Sequence, residues 1–316
     1  MKGYLDKHQP KAFLWGKWKP RYWVLKKDKF KYYIDKNSPE HLGVIDFNKV
    51  DVSIVSLPNK RHEFKISISG CKRDFSFRAD NSIDAKNWIK HFEECITSSR
   101  GRHLSLTLSD SKFWKKEYID LNEFQNHADN WDLLLFKSKT YGTKLQRTFT
   151  GSDFDHVGML VLWETDNDPN TIFLLEAVAD EGVRLVEFIP NIEAYYEVYE
   201  RIVFRPLQGI ERDEELLIKL DEYLEQVLGK KYGVSMNKFW RNSVNHRGTD
   251  GKHIEEANRT FQWAELVAKM YKILGIIGSH EHSGKYIPAH FTEKKKIDLQ
   301  KGSFGPEWVV YLPDNY

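Results

Sequence analysis

Long hydrophobic runs and cysteine are both scarce in this chain of 316 residues. No stretch approaches the roughly 20 apolar residues that a membrane-spanning helix needs, and the first residues lack the apolar segment of a secretory signal. The 2 cysteines, Cys71 and Cys95, form neither a CxxC pair nor a zinc-ligand spacing. We therefore expect a cytoplasmic protein with reduced thiols, which can associate with a membrane or the cytoskeleton from that side.

A strong excess of one charge is missing as well. The chain has 48 Lys and Arg against 46 Asp and Glu, for a formal net charge of +2. This balance does not indicate a nucleic-acid partner, although the first hundred residues are rich in lysine. The length exceeds the roughly 250 residues over which one hydrophobic core usually extends, so two domains are expected.

Seven short β-prone runs, separated by turn residues, fill the first 78 residues and predict a barrel or a sandwich. One amphipathic helix follows, with Ser82 as its predicted N-cap and with Trp88 and Phe92 on its apolar face. The predicted strands are Gly3–Lys7, Trp18–Lys26, Phe30–Asp35, Leu42–Asp46, Val50–Val55, Glu63–Ile68 and Arg73–Arg78.

This order of elements, with the phrases Gly3-Tyr4-Leu5, Trp18–Leu25 and Tyr32-Tyr33 and with Trp88 in the closing helix, resembles a pleckstrin homology (PH) domain over residues 1–98. The resemblance implies a β-barrel that is capped by a C-terminal helix. Residues 99–129 are expected to form a partly helical connector, with one helix over residues 109–126.

The PH resemblance also implies a site for a phosphoinositide headgroup, formed by Lys7, Lys19, Arg21 and Tyr33. A headgroup carries several negative charges, which Arg binds as a planar fork and Lys as a point charge. Positions 19 and 21 alternate correctly to share one end of the barrel with position 7. Two other interpretations stay open: a solvated basic edge, and a domain that docks a protein.

The second part of the chain, residues 130–316, alternates strand and helix patterns, which predicts an α+β domain. The strands are Asp132–Phe136, His156–Leu162, Thr171–Val178, Val183–Phe188, Val198–Pro206 and Trp308–Leu312. An amphipathic helix is expected over Asp213–Leu228. A second helix is expected from Trp263 to Leu274, with Gly275 at the position after its end where glycine is favoured.

Three phrases in this part resemble the circularly permuted papain-like superfamily, the YiiX-type relatives of NlpC/P60 proteins. They are Ser152–Gly158, Gly229–Tyr232 and Phe261–Val267. The resemblance implies a catalytic base at His156, an orienting polar residue at Glu176 and a nucleophile at position 263. A carboxylate can accept the imidazole N–H and fix its tautomer; Glu176 pairing with Arg184 or facing water is the alternative.

Position 263 carries tryptophan, where the papain-like superfamily has cysteine. Indole has no nucleophilic atom, and residues 96–316 contain no cysteine that could replace it. His156, Glu176 and Trp263 therefore predict a degenerate, inactive triad in a pseudoenzyme.

The expected function is a non-catalytic adaptor that binds a phosphoinositide, an anionic membrane or a protein. A component of a cytoskeletal assembly and a hydrolase or acyltransferase with an atypical nucleophile are the alternatives. We expect no cofactor. His280-Glu281-His282 is a pair of histidines in a polar loop, for which we expect no metal ion.

Overall fold

The computed structural model describes residues 1–9, 17–57, 59–71, 73–99, 106, 112–139, 152–165, 170–178, 181–228, 264–280, 282–295 and 297–312. The chain divides into two compact units. The first comprises Met1–Tyr118 with Tyr311–Tyr316, and the second comprises Ile119–Val310. The three-part division of the sequence at residues 98 and 129 stays a prediction. No helix in the described ranges is both long and apolar enough to cross a bilayer.

The first unit contains a sheet of seven strands, the number that the turn spacing predicts. The strand pairings are antiparallel, and the first strand pairs with the seventh, which joins strands one to four and strands five to seven into one open barrel with the fourth and fifth strands at its edges. The strands are β1 (Lys2–Gln9), β2 (Lys17–Lys26), β3 (Lys29–Tyr33), β4 (Gly43–Asp46), β5 (Val52–Ser56), β6 (Glu63–Ile68) and β7 (Phe75–Arg78).

Helix α1 (Ser82–Ser98) follows the barrel strands. Its N-cap is Asn81, not Ser82 as predicted, because the Asn81 side chain accepts hydrogen bonds from the backbone N–H groups of Ile83 and Asp84, both at 2.9 Å. Trp88 and Phe92 are buried as predicted. Since both are aromatic, α1 adds large apolar side chains to the barrel interior.

The prediction of one continuous helix over residues 109–126 is wrong. The structure has a short 3₁₀ helix (Phe113–Lys115), strand β8 (Glu117–Asp120) and helix α2 (Leu121–His127). Asp120 ends the strand and starts the helix, because its carboxylate accepts the Glu123 N–H while the Glu123 side chain accepts the Asp120 N–H. A helical spacing of aromatic residues alone did not reveal this break.

The second unit combines β-strands with helices, in agreement with the coarse α+β prediction. Its strands are β9 (Leu133–Ser138), β10 (His156–Trp163), β11 (Thr171–Val178), β12 (Gly182–Glu187), β13 (Tyr199–Arg205) and β16 (Trp308–Tyr311), and β14 (Leu207–Gln208) pairs separately with β15 (Ser303–Phe304). Together with β8, the strands other than β14 and β15 form a seven-stranded sheet in the order β12-β11-β10-β9-β13-β16-β8.

Strands β9 and β10 are buried along most of their length, on both faces of the sheet. Such strands lie at the centre of a layered fold, between elements that cover each face. Within the described residues, the α-helices of this unit are α2, α3 (Ile192–Val198), α4 (Glu214–Val227), which Asp213 caps, and α5, residues 264–273.

Helix α5 contains the apolar stripe that the sequence predicts, and Leu266, Val267 and Met270 are buried. Ile273 departs from the prediction, since 43% of it is exposed. Gly275 has φ +68° and follows the helix, and the Ile276 N–H bonds the Tyr271 carbonyl at 2.8 Å. This glycine-terminated cap is the ending that the sequence predicts.

Candidate functional site

Two groups of side chains carry the predicted chemistry. The first is the basic pocket, which we define as Lys7, Lys19 and Arg21. Lys7 lies directly opposite Lys19 in the β1–β2 pairing, and Arg21 lies opposite Leu5. Because side chains alternate along a strand, all three cations project from the same face of the sheet as the buried Trp23. This is the inner face of the barrel.

Tyr33 does not join the basic pocket. It pairs with Tyr22, and Tyr32 pairs with Trp23, so Tyr33 projects from the outer face and its neighbour from the inner one. The Tyr33 ring contacts His41 with 6.3 Å between centroids. The strand register therefore places Tyr32, and not Tyr33, on the face that carries the three cations, and the assignment of Tyr33 to a headgroup site stays a prediction. Adjacent tyrosines are separated only by strand register, which the sequence does not display.

Lys7 lies in a cage of aromatic rings. An ammonium within about 6 Å of a ring centroid is attracted by the electrons of the ring face. The Nζ atom of Lys7 meets this condition at four rings, with centroid distances of 4.8 Å for Tyr32, 4.9 Å for Phe75, 5.7 Å for Trp114 and 5.8 Å for Trp23.

The charges around Lys7 are positive. Burial, followed by the charges of Arg73, Lys115 and Arg21, lowers the pKa of Lys7 to about 8. Within the described ranges, no hydrogen bond or ion pair joins Lys7 Nζ to a carboxylate. An anion that entered this region would relieve the repulsion and provide the missing acceptor.

Trp114 and Arg73, which the sequence analysis did not select, also belong to this region. The Arg73 guanidinium lies 5.1 Å from the Trp114 ring, and the Trp114 ring meets Phe75 edge-on at 5.0 Å. A Cβ atom at Gly43 would collide with the Trp114 carbonyl oxygen, so glycine permits this close approach. Trp114 is only 6% exposed.

The second group is the His156 cluster, which we define as His156, Glu176, Arg184, Tyr195 and Tyr199. His156 Nε2 lies 2.7 Å from Glu176 Oε2, and both side chains are 1% exposed. The imidazole stacks on Tyr199 at 6.0 Å between centroids, with an angle of 7° between the rings. The two residues that the sequence analysis paired are therefore in hydrogen-bond contact.

Glu176 accepts more than the imidazole. Its Oε1 atom accepts hydrogen bonds from Arg184 Nε at 2.9 Å, Arg184 Nη2 at 2.6 Å and the Tyr195 hydroxyl at 2.7 Å. Burial alone would raise the pKa of Glu176, but these bonds and the one from His156 outweigh it and hold the pKa at about 2. The two alternatives for Glu176, a partner histidine and a partner arginine, thus occur together.

Trp263, the third predicted position, lies outside the described residues, and so do Gly229–Tyr232 and the start of the Phe261–Val267 phrase. Helix α5 itself is anchored by Tyr271, whose hydroxyl donates to the Trp131 carbonyl at 2.6 Å. The Tyr223 hydroxyl donates to the Leu266 carbonyl at 2.9 Å. The grouping of His156 and Glu176 with position 263 stays a prediction.

The seven-stranded barrel with its closing helix defines the class of the first unit, and comparison with known families identifies it. The PH-domain family model matches residues 1–97. The N-terminal part of the chain is a PH domain, a module associated with docking to membranes or proteins. No curated protein matches the chain.

Solved PH domains resemble this chain. The PH domain of human oxysterol-binding protein-related protein 11 has 18% identity and a TM-score of 0.28, with 32% of this chain and 82% of that chain covered. The C-terminal PH domain of pleckstrin, solved in complex with D-myo-Ins(1,2,3,4,5)P5, has 21% identity and a TM-score of 0.26, with coverages of 30% and 95%.

Proposed function

We propose that this protein is a non-catalytic adaptor whose PH domain docks on phosphoinositide-bearing membranes and whose second unit serves as a binding body. The observation that carries the membrane part is the strand register that aligns Lys7, Lys19 and Arg21 on one face. Within the described ranges, no carboxylate pairs with Lys7, so the excess positive charge is available to an anion.

A phosphorylated inositol matches this arrangement chemically. Its phosphates carry several negative charges, and charge-assisted hydrogen bonds from Arg and Lys are among the stronger polar contacts in proteins. Each basic residue near an anionic leaflet also adds about 1 kcal/mol of attraction. Exposed Lys19 can reach such a surface directly, while Lys7 lies deeper.

The test is co-sedimentation of the full chain with phosphatidylcholine vesicles that contain phosphoinositides. The double variant Lys19→Glu, Arg21→Glu should lose affinity by roughly tenfold or more, because two attractive charges become repulsive. The matched control is Lys86→Glu, Lys90→Glu, which makes the same charge change at exposed positions of α1. Equal losses in both variants, or no binding by the unaltered protein, would contradict the membrane proposal.

Our proposal that the second unit is not catalytic is supported by the environment of Glu176. In a hydrolytic triad the carboxylate stabilises the imidazolium that forms during the reaction. Here Arg184 contacts the same carboxylate through two nitrogens, at 2.9 and 2.6 Å, and already compensates its charge. The tryptophan at position 263 supplies no nucleophile in addition.

A panel of ester and amide substrates tests this part. We expect no turnover that depends on His156. Turnover by the unaltered protein that His156→Ala abolishes would favour a hydrolase or acyltransferase with an atypical nucleophile. In a Trp263→Cys variant, labelling of position 263 by a thiol-reactive acyl probe would support the papain-like ancestry.

A further inference from the structure

We propose that Trp114 is an internal lid on the basic pocket, which an anionic phosphate ligand must displace before it can contact Lys7. This inference rests on the proposed membrane function and adds a regulatory step to it. Trp114 lies beyond residue 97, where the match to the PH family ends, so it is an addition to the part of the chain that the family model describes.

The position of Trp114 at one end of the barrel is the first argument. Its ring contacts Lys7, from the end of β1, at 5.7 Å and Phe75, from the start of β7, at 5.0 Å. Its carbonyl oxygen lies against Gly43, from the start of β4. Three strands of the barrel therefore meet this one residue, β1 and β7 at its ring and β4 at its backbone.

The second argument is the state of the Lys7 ammonium. It faces four aromatic rings, the nearest at 4.8 Å, rather than an oxygen acceptor within the described part of the chain. Cation–π attraction is weaker than the charge-assisted hydrogen bonds that a phosphate offers. A phosphate oxygen at Lys7 would thus be a better partner than the Trp114 ring that now covers it.

A route for displacement is present as well. Arg73 is exposed, and its guanidinium carbon lies over the Trp114 ring at 5.1 Å from the centroid. Lys115 is exposed next to it. These cations can attract an anion while the lid is closed. Phe113, which directly precedes Trp114 and is only 2% exposed, anchors the 3₁₀ helix, so the Trp114 side chain can turn without release of the segment.

The lid can be tested without a membrane by labelling of Lys7. The full chain is treated near pH 8 with an acetylating N-hydroxysuccinimide ester, and modification of Lys7 is measured by peptide mass spectrometry. Trp114→Ala should speed this labelling by roughly tenfold, because the amine loses its cover. The matched control, Trp163→Ala, removes a 44% exposed tryptophan from the second unit and should leave the rate unchanged.

Vesicle binding provides the second readout. Trp114→Ala should bind phosphoinositide vesicles several-fold more tightly than the unaltered protein, and the double variant Trp114→Ala, Lys7→Ala should lose that gain. Circular dichroism and thermal unfolding identify variants that are folded, and Trp114→Leu replaces Trp114→Ala if the latter unfolds.

The outcomes separate the two proposals. Faster Lys7 labelling without a change in vesicle binding upholds the lid and counts against the lipid ligand. A folded Trp114 variant that labels at the unaltered rate overturns the lid, whatever the vesicles show. A gain in vesicle binding that persists without Lys7 overturns it too, because the uncovered group would then be another one.

Discussion

Lys7 in the PH domain is partly buried and Glu176 in the second unit is buried, and both have lowered pKa values, yet their surroundings have opposite effects. Burial and neighbouring cations lower the pKa of Lys7 to about 8, which favours its neutral form. Burial opposes the charge of Glu176, but hydrogen bonds from His156, Tyr195 and Arg184 prevail, hold its pKa at about 2 and favour its charged form.

This difference is the physical basis of our proposal that Lys7 belongs to a binding site and that Glu176 has a structural role. The hydrogen-bond partners of Glu176 all come from its own unit. We interpret this buried, paired carboxylate as a structural contact between strands and helices. Lys7 is surrounded by aromatic rings and positive charges, and within the described residues no carboxylate compensates the charge of its ammonium group. Perturbed groups of the second kind are the better indicators of a ligand.

The largest expected effect on stability comes from removing the charge of Glu176, whose hydrogen bonds are all made within the fold. Glu176→Gln removes the negative charge from beneath Arg184 and turns an amide N–H₂ towards groups that are themselves donors. Breaking a buried ion pair at one partner costs about 3–5 kcal/mol. We expect a loss of this size in the free energy of unfolding at pH 7, measured by urea denaturation.

Glu181→Gln is the matched control, because Glu181 also pairs with Arg184, at 2.8 Å, but is 62% exposed. It should change stability by less than about 0.5 kcal/mol. The folded-state pKa of Glu176, about 2, lies below its ordinary value of 4.5. Its stabilisation is therefore present above pH 4.5 and lost as the pH falls towards 2, and Glu176→Gln should flatten this acid dependence. Similar stabilities of both variants would contradict the comparison.

The helices and strands could be predicted from the sequence better than the contacts between them. Strand β11 was predicted with its observed limits, Thr171–Val178, because the apolar run lies between Asn170 and the polar pair Asp180-Glu181. The seven barrel strands were predicted by turn residues for the same reason. Local patterns failed where two neighbouring residues compete, as with Asn81 and Ser82 at the start of α1, since either side chain is a good cap.

The candidate sites depend on contacts between distant residues, which local patterns do not contain. Lys7 and Lys19 lie opposite each other in the pairing of β1 with β2, as strand alternation predicts. Tyr32 and Tyr33 could be distinguished only by the pairing of β2 with β3. Trp114 lies 107 positions after Lys7 (114 − 7), and no spacing rule connects them. An aromatic residue in a polar connector was the only available signal.

A smaller change in stability, a gain rather than a loss, is expected when the charge of Lys7 is removed. Lys7→Met keeps an apolar stem inside the aromatic cage and removes the charge. We expect the first unit to gain about 1–3 kcal/mol of stability at pH 7, since each pKa unit corresponds to about 1.4 kcal/mol. Thermal unfolding gives the gain, and Lys26→Met, at an exposed position of β2, is the control.

The pH dependence of this gain follows from the same charge. The folded-state pKa of Lys7, about 8, lies below its ordinary value of 10.5. Folding is therefore penalised below pH 8, and the penalty disappears as the pH rises from 8 to 10.5. The unaltered protein should gain stability in this window and Lys7→Met should not. A loss of stability in Lys7→Met at pH 7 would mean that the ring contacts outweigh the repulsion.

Asp132 offers the smallest and most discriminating test, because it lies between the two extremes. Its carboxylate accepts the Leu207 N–H at 2.7 Å and lies 3.3 Å from Arg212 Nη2. Burial nevertheless prevails over these partners and raises its pKa to about 7, from an ordinary value of 3.8. Stability from this group is therefore present below pH 3.8 and decreases as the pH rises towards 7.

Asp132→Asn should cost about 1 kcal/mol at pH 4, because the amide replaces only one of two accepting oxygens. The difference in stability should shrink as the pH rises and should reverse in sign before pH 7.5, because the unaltered protein loses stability that the uncharged amide keeps. Urea denaturation across that range measures it. A constant difference would mean that Arg212 compensates Asp132 as fully as Arg184 compensates Glu176. Asp132 would then resemble Glu176 as a carboxylate whose charge is compensated within the fold, and both would contrast with Lys7.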